Sequence, residues 1–252
     1  MTGSYRDLFT AEGAATAYEE GQYEAGSYWE ILWELEKPIL DDILEELRRH
    51  RQSVCYLDFA CGSGRILSYV EERCDKATGV DVSSEMLKRA STRVRKATLV
   101  QRDITVDGAS VEGRYDLITA FRFLLNAEPE LRVAGLCALA ARLRDGDSRL
   151  VVSVHGNPLS YKALVGPYRR VRALIKGYPA ESLLSVAQTR HLLAGAGLEV
   201  VSVHGMGLFP ARMWSALPRR IALAVEGSLM HVPLIPRFGV NQVLVCRRSG
   251  EG

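Results

Sequence analysis

Leu57-Asp58-Phe59-Ala60-Cys61-Gly62-Ser63-Gly64-Arg65-Ile66-Leu67 is the stretch on which the reading of this chain turns. An apolar run ends in a turn with two glycines, and a helix-forming sequence follows at once. Glycine suits a turn that needs positive φ or lets a ligand touch the main chain. The helix start behind it offers N–H groups that have no partner within the helix. A dinucleotide fingerprint of the form G-x-G-x-x-G or -A asks for a small third residue. Leu67 stands there instead, and Asp58 lies where that fingerprint needs no acid.

Outward from this turn, strands and helices alternate. Strands are expected at 54–59, 77–80, 98–101, 115–121 and 149–154, and helices at 64–72, after Ser83 or Ser84, and at 128–144. That order implies a parallel sheet covered on both faces. Before it, Tyr28, Ile31, Leu32 and Leu35, then Ile39, Ile43, Leu44 and Leu47 recur at helical spacing. Pro38 suits a first helical turn, so two helices in tandem are expected. After it, helices are expected at 160–176, 181–194 and 209–229, with strands at 198–203 and 240–246.

The residues resemble the first motif of the class I S-adenosylmethionine-dependent methyltransferases, an acid followed by Gly-x-Gly-x-Gly. Asp58, Ala60, Gly62 and Gly64 match it, with Ala60 replacing the first glycine. Three further segments agree: Gly79-Val80-Asp81-Val82-Ser83, Gln101-Arg102-Asp103-Ile104, and Tyr115 to Phe121. The resemblance covers about residues 54–155. It implies a Rossmann-like α/β/α sandwich whose sheet has seven strands, mostly parallel, with the last antiparallel. It implies S-adenosylmethionine as cofactor. Ala60, Gly62 and Gly64 would lie against its methionine and ribose, and Asp58 would orient the turn or meet the amino group through water. Asp81 would accept from both ribose hydroxyls, Val82 and Met86 would flank the adenine, and Asp103 would accept from the adenine amine beside Ile104. Ala120, near the end of the fourth strand, would pass the reactive methyl. Tyr18, in an Ala-x-x-Tyr segment, would sit on a flap over the cofactor or pack on a helix.

One domain over 1–252 is expected: a helical N-terminal lid at 1–50, a cofactor core at 54–155, and acceptor-side helices and final strands at 156–252. Methyl transfer needs the acceptor in line with the S–CH₃ bond at about 3–3.5 Å. His155, after the fifth strand, is the best-placed general base, or else a packed loop histidine. Arg122, Asn126 and Asn157 are candidates for acceptor contact, with loop hydrogen bonding as the alternative for Arg122 and Asn126. His204 is expected to be structural, and Trp29 and Trp33 to pack in core or lid. The segment 121–126 lacks the Asn/Asp-Pro-Pro-Tyr/Phe of enzymes that methylate nucleobase amines or glutamine amides, and lacks clustered acids, so no metal is expected. The acceptor is expected to be a small molecule, with a hydroxyl on a specialised metabolite, sugar or lipid-like precursor favoured. N- or C-methylation, or an inactive methyltransferase-fold binding protein, are the alternatives.

Composition agrees with an enzyme core. The 252 residues are 47% hydrophobic and 25% charged, with net charge +2, which gives nucleic acid no bulk attraction. The basic stretch from Lys162 to Lys176 is a solvated helix or a face for an acidic partner. The late apolar stretch 214–235 is broken by Pro218, Arg219, Arg220, Glu226 and Pro233, so no transmembrane segment is expected. The start Met1 to Asp7 lacks a signal-peptide pattern. Cys55, Cys61, Cys74, Cys137 and Cys246 show no C-x-x-C spacing, which favours reduced thiols and a cytoplasmic setting. Composition leaves the oligomeric state open.

Overall fold

The structure, a computed structural model, describes residues 27–106, 113–163, 166, 183–214 and 216–250. Its centre is β1 (Cys55–Phe59), which pairs in parallel with β2 (Lys76–Asp81) on one side and β4 (Leu117–Phe121) on the other. β3 (Thr98–Gln101) extends the sheet beyond β2, and β5 (Arg149–His155) lies beside β4. β7 (Asn241–Arg248) inserts antiparallel between β5 and the edge strand β6 (Leu198–Met206), giving the order β3-β2-β1-β4-β5-β7-β6. The sequence reverses direction between β1 and β4, so a crevice opens at their carboxyl ends.

Both faces of this sheet are covered. Alternate residues of one strand belong to different cores: Leu117 and Phe121 face one way, Ile118 and Ala120 the other. The first core takes its cover from α1 (Tyr28–His50) and α2 (Arg65–Val70). The second takes it from α5 (Pro129–Ala140), with Leu136 and Leu139 fully buried, and from α6 (Val186–Gly195) through Leu193. α3 (Ser84–Arg93) starts on Ser83, whose hydroxyl accepts from the Met86 N–H at 3.3 Å. The short α4 (Phe123–Asn126) follows β4 directly.

Three elements differ from the sequence reading. The tandem helices are one: α1 runs unbroken through Pro38. An interior proline costs about 3 kcal/mol relative to alanine. The buried row Ile31, Leu32, Leu35, Ile39, Leu40, Ile43, Leu44 and Leu47 offsets that cost by keeping one continuous face on the sheet. β4 begins only at Leu117, because the fully buried Asp116 acts as a staple: its Oδ2 accepts from the Cys55 N–H at 2.7 Å, and it pairs with Arg51 at 3.0 Å and Arg144 at 3.2 Å. The helix expected at 209–229 is two, α7 (Ala211–Trp214) and α8 (Arg219–Met230), separated at Pro218. Most of the basic stretch 162–176 lies outside the described residues. Among the described residues no helix is long and apolar enough to cross a membrane.

Candidate active site

The glycine turn joins β1 to α2. Ala60, Gly62 and Gly64 have φ of 53°, 53° and 75°, so the three left-handed residues alternate along it. Ala60 holds a conformation that costs an L-residue roughly 1–2 kcal/mol. Gly64 has a second constraint: a Cβ there would lie 3.0 Å from the Cβ of Ala90, so its absence lets α2 and α3 meet. The turn is pinned from β2. Asp81 accepts from the Gly62 N–H at 2.8 Å through Oδ2 and from the Ser83 N–H at 2.9 Å through Oδ1. A carboxylate offers about four acceptor positions, so each oxygen keeps capacity for a ligand hydroxyl. Burial pushes its pKa up, against the backbone N–H groups that favour the charge.

A cleft opens at this edge of the sheet. Ala60, Gly62, Asp81, Val82, Met86, Asp103, Arg122 and Asn126 line it. Those residues come from the turn, β2, α3, the end of β3 and the β4–α4 junction, and only the topology brings them together. Phe59, Phe121, Phe123 and Leu131 form an apolar wall beside them that motif reading did not single out. Phe123 packs edge-on against Phe59 with centroids 4.8 Å apart. Asp103 is held in a local turn, accepting through Oδ1 from the Thr105 N–H at 3.0 Å and hydroxyl at 2.6 Å. Arg122 takes φ 60° at the start of α4, its N–H bonded to the Ser153 hydroxyl and its carbonyl accepting from Asn126 Nδ2 at 2.7 Å.

A second, smaller recess adjoins the turn, lined by Asp58, Ala60, Gly62, Ser63, Arg65 and Arg122, among others. Asp58 is 2% exposed. Its Oδ1 accepts from the Thr119 hydroxyl at 2.6 Å, and its Oδ2 has no hydrogen-bond partner among the described residues. Burial pushes its pKa up to about 7, against Thr119 and Arg65. A buried acid with one oxygen left open beside free space at the turn fits a ligand that brings a hydrogen-bonding cation, as the methionine end of S-adenosylmethionine does.

Other expected site residues stand apart from the cleft lining. Ile104 is 1% exposed in the second core, and Ala120 is fully buried there, because it is Phe121 that faces the cleft side. Gly64 acts behind the turn, at the helix junction. Asn157 is fully buried and engaged in chain geometry: Nδ2 donates to the carbonyls of Arg237 and Gly239 at 2.7 and 2.9 Å, and Oδ1 accepts from the Leu159 N–H at 3.1 Å. That assignment corrects the expectation of an acceptor contact. Tyr18 lies outside the described residues.

At His155 the surroundings favour the packed-histidine alternative. Its ring packs on Trp29 with centroids 4.1 Å apart, and the guanidinium carbon of Arg122 lies 4.4 Å from the Trp29 centroid. Burial, with Lys162 and Arg122 nearby, pushes its pKa down to about 2. An imidazole so disfavoured as a cation is a weak proton acceptor, so these surroundings do not make a general base of ordinary histidine pKa. Trp29 therefore packs between two groups at the site. His204 pairs with the Ser202 hydroxyl at 2.9 Å on the edge strand.

Sequence reasoning missed Glu36 and Arg65. Glu36 is 1% exposed on α1, and its pKa is pushed up to about 7 by burial, against Arg65 and Asn241. The signal was there: Leu32, Glu36 and Leu40 fall four residues apart, so an acid sits in the middle of the buried stripe.

The fold, the turn with its acids, and the cleft define a class, and comparison with known proteins agrees. Residues 57–146 match the family model described as a methyltransferase domain. The chain is a class I, Rossmann-like methyltransferase that uses S-adenosylmethionine. It is 24% identical over 179 residues to a ubiquinone biosynthesis O-methyltransferase of Nitrosomonas europaea, covering 69% of this chain and 75% of that one. It is 26% identical over 170 residues to the protein of that name in Psychrobacter arcticus, covering 64% and 65%. The magnesium protoporphyrin IX methyltransferase of Synechocystis PCC 6803, solved with bound S-adenosylhomocysteine (SAH), shares the fold with a TM-score of 0.61 at 17% identity, covering 97% of each chain.

Proposed function

We propose that this enzyme moves the methyl group of S-adenosylmethionine to a hydroxyl of a small molecule, a specialised metabolite, sugar or lipid-like precursor. One observation carries the reading: a single cleft runs from Asp81, Met86 and Asp103 to Arg122, Asn126 and the aromatic wall of Phe121 and Phe123. The first group suits a nucleoside, the second an acceptor beside it. The name O-methyltransferase borne by the relatives supports the hydroxyl. The cofactor supplies an electrophilic methyl group on a sulfonium centre.

The chain's own residues bind and orient. Asp81 takes the ribose diol, Val82 and Met86 flank the adenine, and Asp103 takes its amine with Ile104 packed behind. Ala60, Gly62 and Asp58 meet the methionine end, and Ala120 backs the strand that passes the methyl. Residues 54–155 hold the cofactor, and the N-terminal segment 1–50 is the lid over it. Arg122 and Asn126 hold the acceptor. His155 stays neutral and keeps Trp29 in place, so the chemistry rests on proximity and on an acceptor acidic enough to ionise, such as a phenol. Two measurements test this. SAH should bind in calorimetry, and isotope-labelled methyl should reach phenolic acceptors faster than matched amines. Preference for the amines would overturn the acceptor class, and binding of NAD in place of SAH would overturn the site.

A further inference from the structure

Residues 231–240 join α8 to β7 at the carboxyl edge of the sheet, where Asn241 pairs with His155. The chain holds this loop firmly. Asn157 Nδ2 donates to the carbonyls of Arg237 and Gly239 at 2.7 and 2.9 Å. Gln242 Nε2 donates to those of Pro236 and Gly239 at 3.0 and 2.7 Å. Both amide side chains belong to buried residues. A Cβ at Gly205 would collide with the Pro236 carbonyl oxygen, so glycine there lets the loop press onto β6.

The apolar side chains of this fixed loop face solvent. Val232, Leu234 and Phe238 are 40%, 61% and 53% exposed. Leu234 also takes φ 71°, a left-handed conformation that disfavours a bulky L-residue. Buried polar groups thus hold exposed apolar ones in place, the reverse of what folding stability asks for, and strain kept at such a site points to a partner. Single exposed apolar residues are ordinary, but these are gathered. Of the eleven large apolar side chains exposed among the described residues, seven fall within 213–238.

Charge narrows the partner. Leu159, Val232 and Leu234 share one recess with Arg190 of α6 and Arg237, and no acid lines it. Neither arginine makes an ion pair among the described residues. The one acid within 213–238, Glu226, is buried and accepts from the N–H groups of Gly207 and Leu208. A second copy docked here about a twofold axis would set a cationic face against itself. An anionic surface with an apolar interior complements it.

We propose that this face docks on an anionic lipid bilayer: Val232, Leu234, Phe238 and Leu159 enter the boundary between headgroups and acyl chains, and Arg190 and Arg237 meet lipid phosphates. The contact turns the carboxyl edge of the sheet, and with it the cleft, toward the lipid. It does not depend on the cofactor assignment.

The experiment is co-sedimentation of the full chain with vesicles of equal parts phosphatidylglycerol and phosphatidylcholine, and with vesicles of phosphatidylcholine alone. Affinity should be roughly tenfold or more higher for the anionic vesicles and should fall as salt rises. Arg190→Gln with Arg237→Gln should erase most of that preference, at roughly fivefold for each arginine. Leu234→Glu with Phe238→Glu should weaken binding roughly tenfold or more and leave SAH affinity unchanged. Leu234→Asn puts a residue that tolerates the left-handed conformation there, so the melting temperature should hold or rise while vesicle affinity falls. A merely structural Leu234 would show the opposite, a lower melting temperature with vesicle binding intact. Failure of the wild type to bind anionic vesicles overturns the proposal, as does equal affinity for the two kinds of vesicle. Full binding by the double glutamate variant overturns it by placing the contact elsewhere, and a dimer in light scattering that the glutamates dissociate gives the face to a second copy instead.

Discussion

Acid should unfold this protein partly through His155, and the size of the effect follows from its surroundings. In the unfolded chain the imidazole has an ordinary pKa of 6.5; in the fold, burial and two nearby cations push it down to about 2. Between those values the unfolded state binds a proton that the native state refuses. Stability from this group is therefore fully present above pH 6.5 and is lost as pH falls toward the folded value, at about 1.4 kcal/mol per pH unit. From pH 6.5 to 4.5 the loss is about 2 kcal/mol. Glu36 and Asp58 work the other way, because their raised pKa values let the native state bind protons first. The comparison must therefore be between wild type and His155→Gln, by urea unfolding at several pH values. The variant loses the Trp29 contact and is less stable at pH 7, but its stability should fall less steeply on acidification, by that same margin. Parallel pH dependences would refute the reasoning and return His155 to the candidates for general base. In the same assay series, the pH–rate profile of the wild type should show no ascending limb that His155→Gln removes.

Three further outcomes are expected. Asp81→Ala removes a carboxylate that tethers the Gly62 and Ser83 N–H groups, and SAH affinity should drop roughly 10- to 100-fold, for a loss of about 1.5–3 kcal/mol; unchanged affinity by calorimetry would remove Asp81 from the site. Pro38→Ala should stabilise α1 by up to about 3 kcal/mol and raise the melting temperature by several degrees, and a lower melting temperature would show that the proline does not strain the helix. Asn157→Ala strands two carbonyls and one N–H in the core and should cost about 2–4 kcal/mol, while SAH affinity holds; intact stability with lost methyl transfer would restore its role in acceptor binding.

The sheet was legible because its signals are local. Period-two and continuous apolar runs mark β1, β2, β3 and β5, and Ser83 capping and the glycine turn mark the helices between them, so a linear reading recovers the order of elements. The acids were legible for the same reason: Asp58, Asp81 and Asp103 stand at successive strand ends, and parallel βαβ units bring such ends to one edge. Boundaries and breaks were less so. Pro38 reads as a stop by its own chemistry, and only the long buried face of α1 overrides it. Asp116 reads as a strand residue, and only the approach of Arg51 and Arg144 makes it a staple.

What the sequence by itself determined is the class of fold and the acids at the strand ends, since each follows from neighbours in the chain; the cofactor was implied by the family those residues resemble. The tertiary structure alone decided what the polar side chains do. His155 and Asn157 sit at an informative position in the chain, but a pKa and a hydrogen-bond inventory depend on what packs around a group. Trp29 and Arg122 come to His155 from 126 and 33 residues away in the chain, and the carbonyls that use up Asn157 lie some 80 residues on. Glu36 is the converse case: its place in an apolar stripe announces a buried charge, yet its partners Arg65 and Asn241 come from elements 29 and 205 residues away. Burial and electrostatics are properties of the surroundings, and in this chain the surroundings of the site are assembled from both ends.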